Sequence, residues 1–350
     1  MKLLFKRTGA WLLALCLILT VWMTGCNCRT QTLEPLPENL QITEPNQHEP
    51  VTEILEEVFV PEDSEEETPE ESTAPGEHPV YPTFPESISL QCGQAFVYNC
   101  NTGEMVAVKG QGETLYPAST TKILTILAAM EHVPLDQQIT AGDELSLLAA
   151  DASVAYVYGG VTLTAEQMIE GMLLPSGNDA ALALAAVAGR AYAGDDTMPG
   201  LDAVEVFADA MNEYAASIGM TNSHFTNPDG YMDENHYTTV EDMARLSVAA
   251  AENETIMKYC GLAYDKVTYV SGEEQEWYNT NVMLNQGSEW YNPYVTGMKT
   301  GSFTGSYCLL ATLEHEDQKY AVGVFTGADN TARYGDVNTI SDWLFGGTNQ

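Results

Sequence analysis

Apolar positions along the chain fall into three textures. Trp11 to Met23 is an apolar run, broken only by Thr20, behind Lys2, Lys6 and Arg7. A membrane-spanning helix takes about 20 such residues, so this shorter run reads as the core of an export signal. Residues 31–88 show no sustained periodicity, apart from Val51–Val60, which is apolar enough for a short transient helix. From Ser89 the pattern turns globular. Gln94–Cys100 alternates as a strand, Asn101-Thr-Gly103 follows as a turn, and Glu104–Val108 reads as a second strand. Ser119 to Glu131 is apolar nearly all round, as a buried helix is. Further helices are predicted over Ala165–Leu174, Ala180–Ala191, Leu201–Ser217 and Val240–Ala251, the last opened by a capping box of Thr238 and Glu241. Tyr294–Met298 reads as a strand leading to Lys299. Tyr307–Thr312 and Lys319–Thr326 flank the polar turn Glu314–Gln318 as a hairpin. Strands, then helices, then strands predict an α+β domain whose terminal strands form one antiparallel sheet with a helical block.

Composition sharpens this division. The chain has 350 residues, 45% of them apolar, enough for a sizeable core. Fifty acidic residues against 13 Lys and Arg give a net charge of −37. That excludes a nucleic-acid partner, which needs a positive face, and a polybasic membrane-surface protein. The imbalance is uneven. Residues 1–30 carry Lys2, Lys6, Arg7 and Arg29 and no acid, whereas residues 31–88 carry 16 acids, no Lys or Arg, and 10 of the 16 prolines. Proline and like charge extend a chain and deny it a core. The expected organisation is a signal over residues 1–25, an acidic tether over 26–88 and one folded domain over 89–346. As a coil the tether spans about 40–45 Å root-mean-square, more with its prolines and charge.

Directly after the apolar run, Met23-Thr-Gly-Cys26 resembles a bacterial lipobox, in which the cysteine is lipidated and becomes the mature N-terminus. Met23 stands where Leu is usual, which leaves signal cleavage without lipidation open. The expected location is the outer face of the cell membrane, held there by a lipid on Cys26. Cys92 and Cys100 either pair across a hairpin or stay free as buried thiols. With no Cys-x-x-Cys and no His-Glu-x-x-His among six His, no metal or other cofactor is expected.

Three short motifs each occur once: Ser119-Thr-Thr-Lys122, Ser176-Gly-Asn178 and Lys299-Thr-Gly301. A Ser hydroxyl is a poor nucleophile without an adjacent base. Three residues apart on a helix share a face, which puts the Lys122 amine near Ser119. The apolar neighbours Ile123, Leu124, Ile126 and Leu127 offer the desolvation that would lower its pKa. Taken singly, Ser119 reads equally as a helix cap, Ser176-Gly-Asn178 as an ordinary turn and Lys299 as an edge-strand guard. Their order and contexts together carry the signal.

Together the motifs resemble the serine β-lactamase and penicillin-binding superfamily, and most closely the D-alanyl-D-alanine carboxypeptidases among the low-molecular-mass penicillin-binding proteins. The resemblance runs from Ser89 to Phe345. It includes Tyr116-Pro-Ala-Ser-Thr-Thr-Lys122, Met172-Leu-Leu-Pro-Ser-Gly-Asn-Asp-Ala180, Thr226-Asn-Pro-Asp-Gly230 with His236, and Gly297-Met-Lys-Thr-Gly301. It implies a transpeptidase-like α+β fold, a peptidoglycan D-Ala-D-Ala stem as substrate and β-lactams as inhibitors. It implies Ser119 as acyl-ester nucleophile, Lys122 as proton acceptor, and Ser176 as proton relay oriented by Asn178. Lys299, Thr300 and Gly301 would hold the substrate, and the backbone of Ser302 would help form the oxyanion hole. The C-terminal β domain of some members is not expected. Gly177 in the second motif, and Glu213-Tyr-Ala-Ala-Ser217 without the needed Asn, weigh against a class A β-lactamase. A non-catalytic wall-binding lipoprotein is the reading from a different class.

Overall fold

The computed structural model describes residues 79–346; the signal, Cys26 and most of the tether lie outside them. Period-two alternation governs the first strand. β1 (Gln94–Asn99) sends Ala95 and Val97 into one apolar layer and Phe96 into another. β2 (Glu104–Lys109) folds back against it, and the two-residue β3 (Thr114–Leu115) leads to a 3-10 turn, Ala118–Thr121. That turn runs straight into α1 (Lys122–Met130). β4 (Gln138–Thr140) pairs with β5 (Thr162–Thr164). Then come α2 (Ala165–Leu173), α3 (Asn178–Ala193) and α4 (Gly200–Ser217). β6 (Thr238–Thr239) pairs with β3, and α5 (Val240–Ala251) and α6 (Glu254–Cys260) complete the helical block. A hairpin of β7 (Tyr264–Thr268) and β8 (Glu274–Tyr278) precedes β9 (Val295–Phe303), β10 (Ser306–His315), β11 (Gln318–Gly327) and α7 (Asn330–Phe345).

The main sheet is antiparallel with order β2-β1-β11-β10-β9, so N- and C-terminal strands join as expected for this α+β class. One face carries Phe96, Leu310 and Phe325 into the core of α1 to α6. The other carries Val97, Leu309 and Val322 against Val337 and Ile340 of α7. α1 lies inside the helical block with Ile123, Leu124 and Ile126 fully buried. Each such side chain contributes about 1.5–3 kcal/mol relative to exposure. That burial fixes the segment carrying the first motif, while β9, at the sheet edge, leaves one backbone flank unpaired beside it.

Two expectations need correction, and one open alternative is decided. α5 is capped by Thr239, whose hydroxyl accepts from Asp242 N, while the Thr238 hydroxyl is engaged with Ser223 Oγ. A full capping box instead opens α2, between Thr164 and Gln167. Of the two readings of Cys92 and Cys100, the free one holds. They stand at opposite ends of β1, about 25 Å apart at 3.3 Å per residue, far beyond disulfide reach. Residues 81–88, read as the end of the tether, belong to the folded unit. Val108 N donates to Pro82 O at 2.8 Å, and Phe84 packs on Trp343 with ring centroids 5.7 Å apart.

Candidate active site

The three motifs meet beside the edge of β9. The Ser119 hydroxyl stands 3.0 Å from Lys122 Nζ. Ser119 lies on the 3-10 turn rather than on the α-helix, and Ala118 before it has φ 49°, a left-handed conformation that non-glycine residues adopt at a cost of about 1–3 kcal/mol. Lys122 Nζ also donates to Asn178 Oδ1 at 2.8 Å and to the main-chain oxygen of Asp229 at 2.8 Å. Lys122 is fully buried, and burial pushes its pKa down to about 8, against a partial rise from Asp229 and Asp179. A neutral lysine amine has two N–H donors and one lone pair. Asn178 and Asp229 are acceptors here and take the two donors. The lone pair is left to the Ser119 O–H, so the dyad is arranged to take the hydroxyl proton.

Asn178 is the first residue of α3, and Asp179 wires that helix to the cleft wall. Its carboxylate accepts from Ala155 N and Val157 N, both at 2.8 Å, while Asn178 N donates to Ser153 O. Burial raises the Asp179 pKa, and those backbone donors oppose the rise. From the other side, Tyr269 Oη and Trp277 Nε1 both donate to Ala155 O, at 2.9 and 3.0 Å. The β7–β8 hairpin, which no expectation covered, therefore fixes the 153–157 loop.

Ser176 is buried beside this group with its backbone at φ 63°. The Asn178 amide oxygen reaches Lys122 rather than Ser176, so the expected orientation of Ser176 by Asn178 is not how this site is built. Among the described residues no hydrogen bond joins Ser176 to either lysine.

Lys299 is fully buried on β9 and donates to Thr300 O at 3.0 Å. Its pKa falls well below the ordinary lysine value through burial, then through the charges of Lys122 and Arg333. Thr300 Oγ1 pairs with Thr280 Oγ1 at 2.6 Å, and Thr280 N donates to Leu174 O. Thr280 thus ties the second motif's loop to the third motif. Gly301 is required by proximity: a Cβ there would lie 2.8 Å from Pro117 O and 3.2 Å from Ser119 N. Ser302 is exposed to the cleft, and its hydroxyl accepts from Arg333 at 3.0 Å.

Sequence reasoning missed Arg333, Thr280 and the Asp229 carbonyl. Arg333 rises from α7, nearly buried, and also donates to Gly301 O and Cys308 O. The quoted Asn-Pro-Asp-Gly motif carried the signal for Asp229. Gly230, at φ 75°, lets that turn close under the nucleophile, because a Cβ would meet Ala118 O at 1.9 Å. His236 then braces α1. Its Nδ1 accepts from Thr226 N, so Nε2 carries the proton toward Thr121 Oγ1 at 2.9 Å, and burial lowers its pKa to about 4. Ser119, Asn178, Asp229 and Ser302 line one cleft of about 330 Å³.

A Ser–Lys pair under an edge strand bearing Lys-Thr-Gly, on a sheet flanked by a helical block, defines a serine-type hydrolase site on an α+β fold. A model of the peptidase S11 family, D-alanyl-D-alanine carboxypeptidase, matches residues 81–330, and the chain belongs to this family. It is 30% identical over 266 residues to D-alanyl-D-alanine carboxypeptidase DacF of Bacillus subtilis, covering 74% of this chain and 63% of that protein. It is 28% identical to the D-alanyl-D-alanine carboxypeptidase of Streptomyces sp. strain K15, covering 71% of this chain and 86% of that one. The crystal structure of the Streptomyces K15 DD-transpeptidase superposes with a TM-score of 0.66 at 26% identity, over 73% of this chain and 98% of that chain.

Proposed function

We propose that the chain is a serine-type D-Ala-D-Ala carboxypeptidase that trims the terminal D-Ala of peptidoglycan stem peptides through a Ser119 acyl-enzyme. The carrying observation is Lys122 Nζ, 3.0 Å from Ser119 Oγ with its pKa brought down to about 8. Ser119 Oγ attacks the carbonyl of the penultimate D-Ala, and Lys122 takes the hydroxyl proton. The N–H groups of Ser119 and Ser302 receive the developing oxyanion, a contribution of about 3–4 kcal/mol per donor in comparable sites. Ser176, buried and, among the described residues, without a hydrogen bond to either lysine, relays the proton to the departing D-Ala nitrogen once bound substrate bridges it to Lys122, and Lys299 with Thr300 receives the terminal carboxylate. Water then releases the trimmed peptide. No cofactor enters this scheme.

Electrostatics favours this role for the site. Residues 79–346 hold nine Lys and Arg. Arg245, Lys258, Lys266 and Lys319 pair with carboxylates, whereas Lys122, Lys299 and Arg333 act on one another around the cleft. In so acidic a protein that cluster is where an anionic group finds positive potential. The β-lactamase reading is weaker. Glu213, the candidate for a deacylating acid, hydrogen-bonds Tyr192 at the surface and is not among the residues lining the cleft.

The test is the intact mass of the protein after exposure to penicillin. One persistent adduct, absent in Ser119→Ala, is expected. Fast drug turnover without an adduct would instead support the lactamase reading.

A further inference from the structure

The cleft floor is cationic, but its rim is not. Asp151 lines the same cleft as Ser119, together with Tyr231 and Met232. Tyr231 and Met232 are 45% and 60% exposed, and Tyr231 Oη donates to Asp151 Oδ1 at 3.1 Å. That bond joins two walls. One leads into the 153–157 loop pinned by Asp179, Tyr269 and Trp277, and the other is the turn whose Asp229 carbonyl holds Lys122. Asp151 therefore stands two residues before a braced loop and is itself held by Tyr231. Among the described residues no Lys or Arg pairs with it. Beside it lie an aromatic ring and a thioether, both open to the cleft.

An unpaired carboxylate next to exposed apolar surface fits a side chain with an apolar stem and a cationic tip. The bound peptide would offer its terminal carboxylate to Lys299 and Thr300 and its upstream residues to the rim. We propose that Asp151, with Tyr231 and Met232, forms a specificity subsite for a free ω-amine on the residue preceding D-Ala-D-Ala. Such a side chain is the free diamino acid of a stem peptide that has not been cross-linked. The methylene stem lies along Tyr231 and Met232, and the ammonium meets the free oxygen of Asp151. The enzyme then prefers uncross-linked stems, because cross-linking turns that amine into a neutral amide. This inference rests on the D-Ala-D-Ala reading of the site.

The test compares two peptides on the whole protein, Nα-acetyl-Lys-D-Ala-D-Ala with its ε-amine free and the same peptide with that amine acetylated. A partly exposed ion pair contributes modestly, so the expected preference in kcat/KM for the free amine is about two- to fivefold at low salt. It should shrink as ionic strength rises and vanish in Asp151→Asn. A purely structural role for Asp151 would leave the ratio between the peptides unchanged. Equal rates in the wild type, or a preference that survives in Asp151→Asn, overturn the subsite. Release of D-Ala from neither peptide would instead strike at the proposed activity. The subsite is then decided by NMR titration of both peptides into Ser119→Ala. Tighter binding of the free amine that disappears with Asp151→Asn supports the subsite, and equal affinities overturn it.

Discussion

Asn178→Asp changes one atom of a side chain 2.8 Å from Lys122 Nζ and so tests whether that lysine works as a neutral base. With a pKa of about 8, Lys122 is neutral in about one molecule in ten at pH 7, against about three in ten thousand at the ordinary 10.5. Burial therefore raises the population of competent base about 300-fold. A carboxylate at position 178 would favour the ammonium, and an opposite charge at this range raises a pKa by about 1–3 units. Taking about 1.5 units, the neutral fraction at pH 7.5 falls from about 24% to about 1%. Acylation by a fluorescent penicillin, followed by stopped-flow from pH 6 to 10, should rise in the wild type with a midpoint near 8. In Asn178→Asp it should be about 20-fold slower at pH 7.5 and recover toward pH 10. Asn178→Ala, which adds no charge, should leave the midpoint near 8 or below. A wild-type profile flat across this range, or an Asp variant with an unmoved midpoint, would refute Lys122 as the base.

Gly301→Ala should slow acylation about 10- to 100-fold with little change in melting temperature, because its Cβ forces β9 away from Pro117 and Ser119. Unchanged acylation would show that this close approach does not matter. The folded state holds His236 near pKa 4, below the ordinary 6.5, so the unfolded chain takes up a proton that the folded one refuses. Its contribution is complete above pH 6.5 and lost as pH falls to 4, by up to about 3 kcal/mol. Urea unfolding at pH 7 and 4.5 should show that loss in the wild type and a shallower one in His236→Gln; equal slopes would contradict it. We propose that Cys26 carries a lipid: Cys26→Ser should abolish palmitate labelling, and a variant still labelled would end that reading.

What the sequence revealed follows the range of the interactions. Ser119 and Lys122 are three residues apart, so their meeting is a local property of one helical turn. The strand alternation of Gln94–Asn99 is likewise local. Arg333 is not: it reaches Ser302 across 31 positions, and only the packing of α7 under the sheet brings it there. Asp229 acts through a main-chain oxygen, which any residue type supplies. The β7–β8 hairpin escaped notice because it buries few side chains, chiefly Val267 and Trp277, leaving little alternation to read. The misplaced cap arose because Thr238 and Thr239 are both good caps, and only the contact of the Thr238 hydroxyl with Ser223, 15 positions away, separates them.

The proposed reaction is hydrolysis of a D-Ala-D-Ala bond by Ser119. The most direct measurement incubates the protein with a stem pentapeptide ending in D-Ala-D-Ala and quantifies free D-Ala over time, beside Ser119→Ala. Steady release by the wild type with a tetrapeptide as co-product, and none by the variant, is the predicted result. No release by a protein that is nonetheless folded, or equal release by Ser119→Ala, would contradict the account.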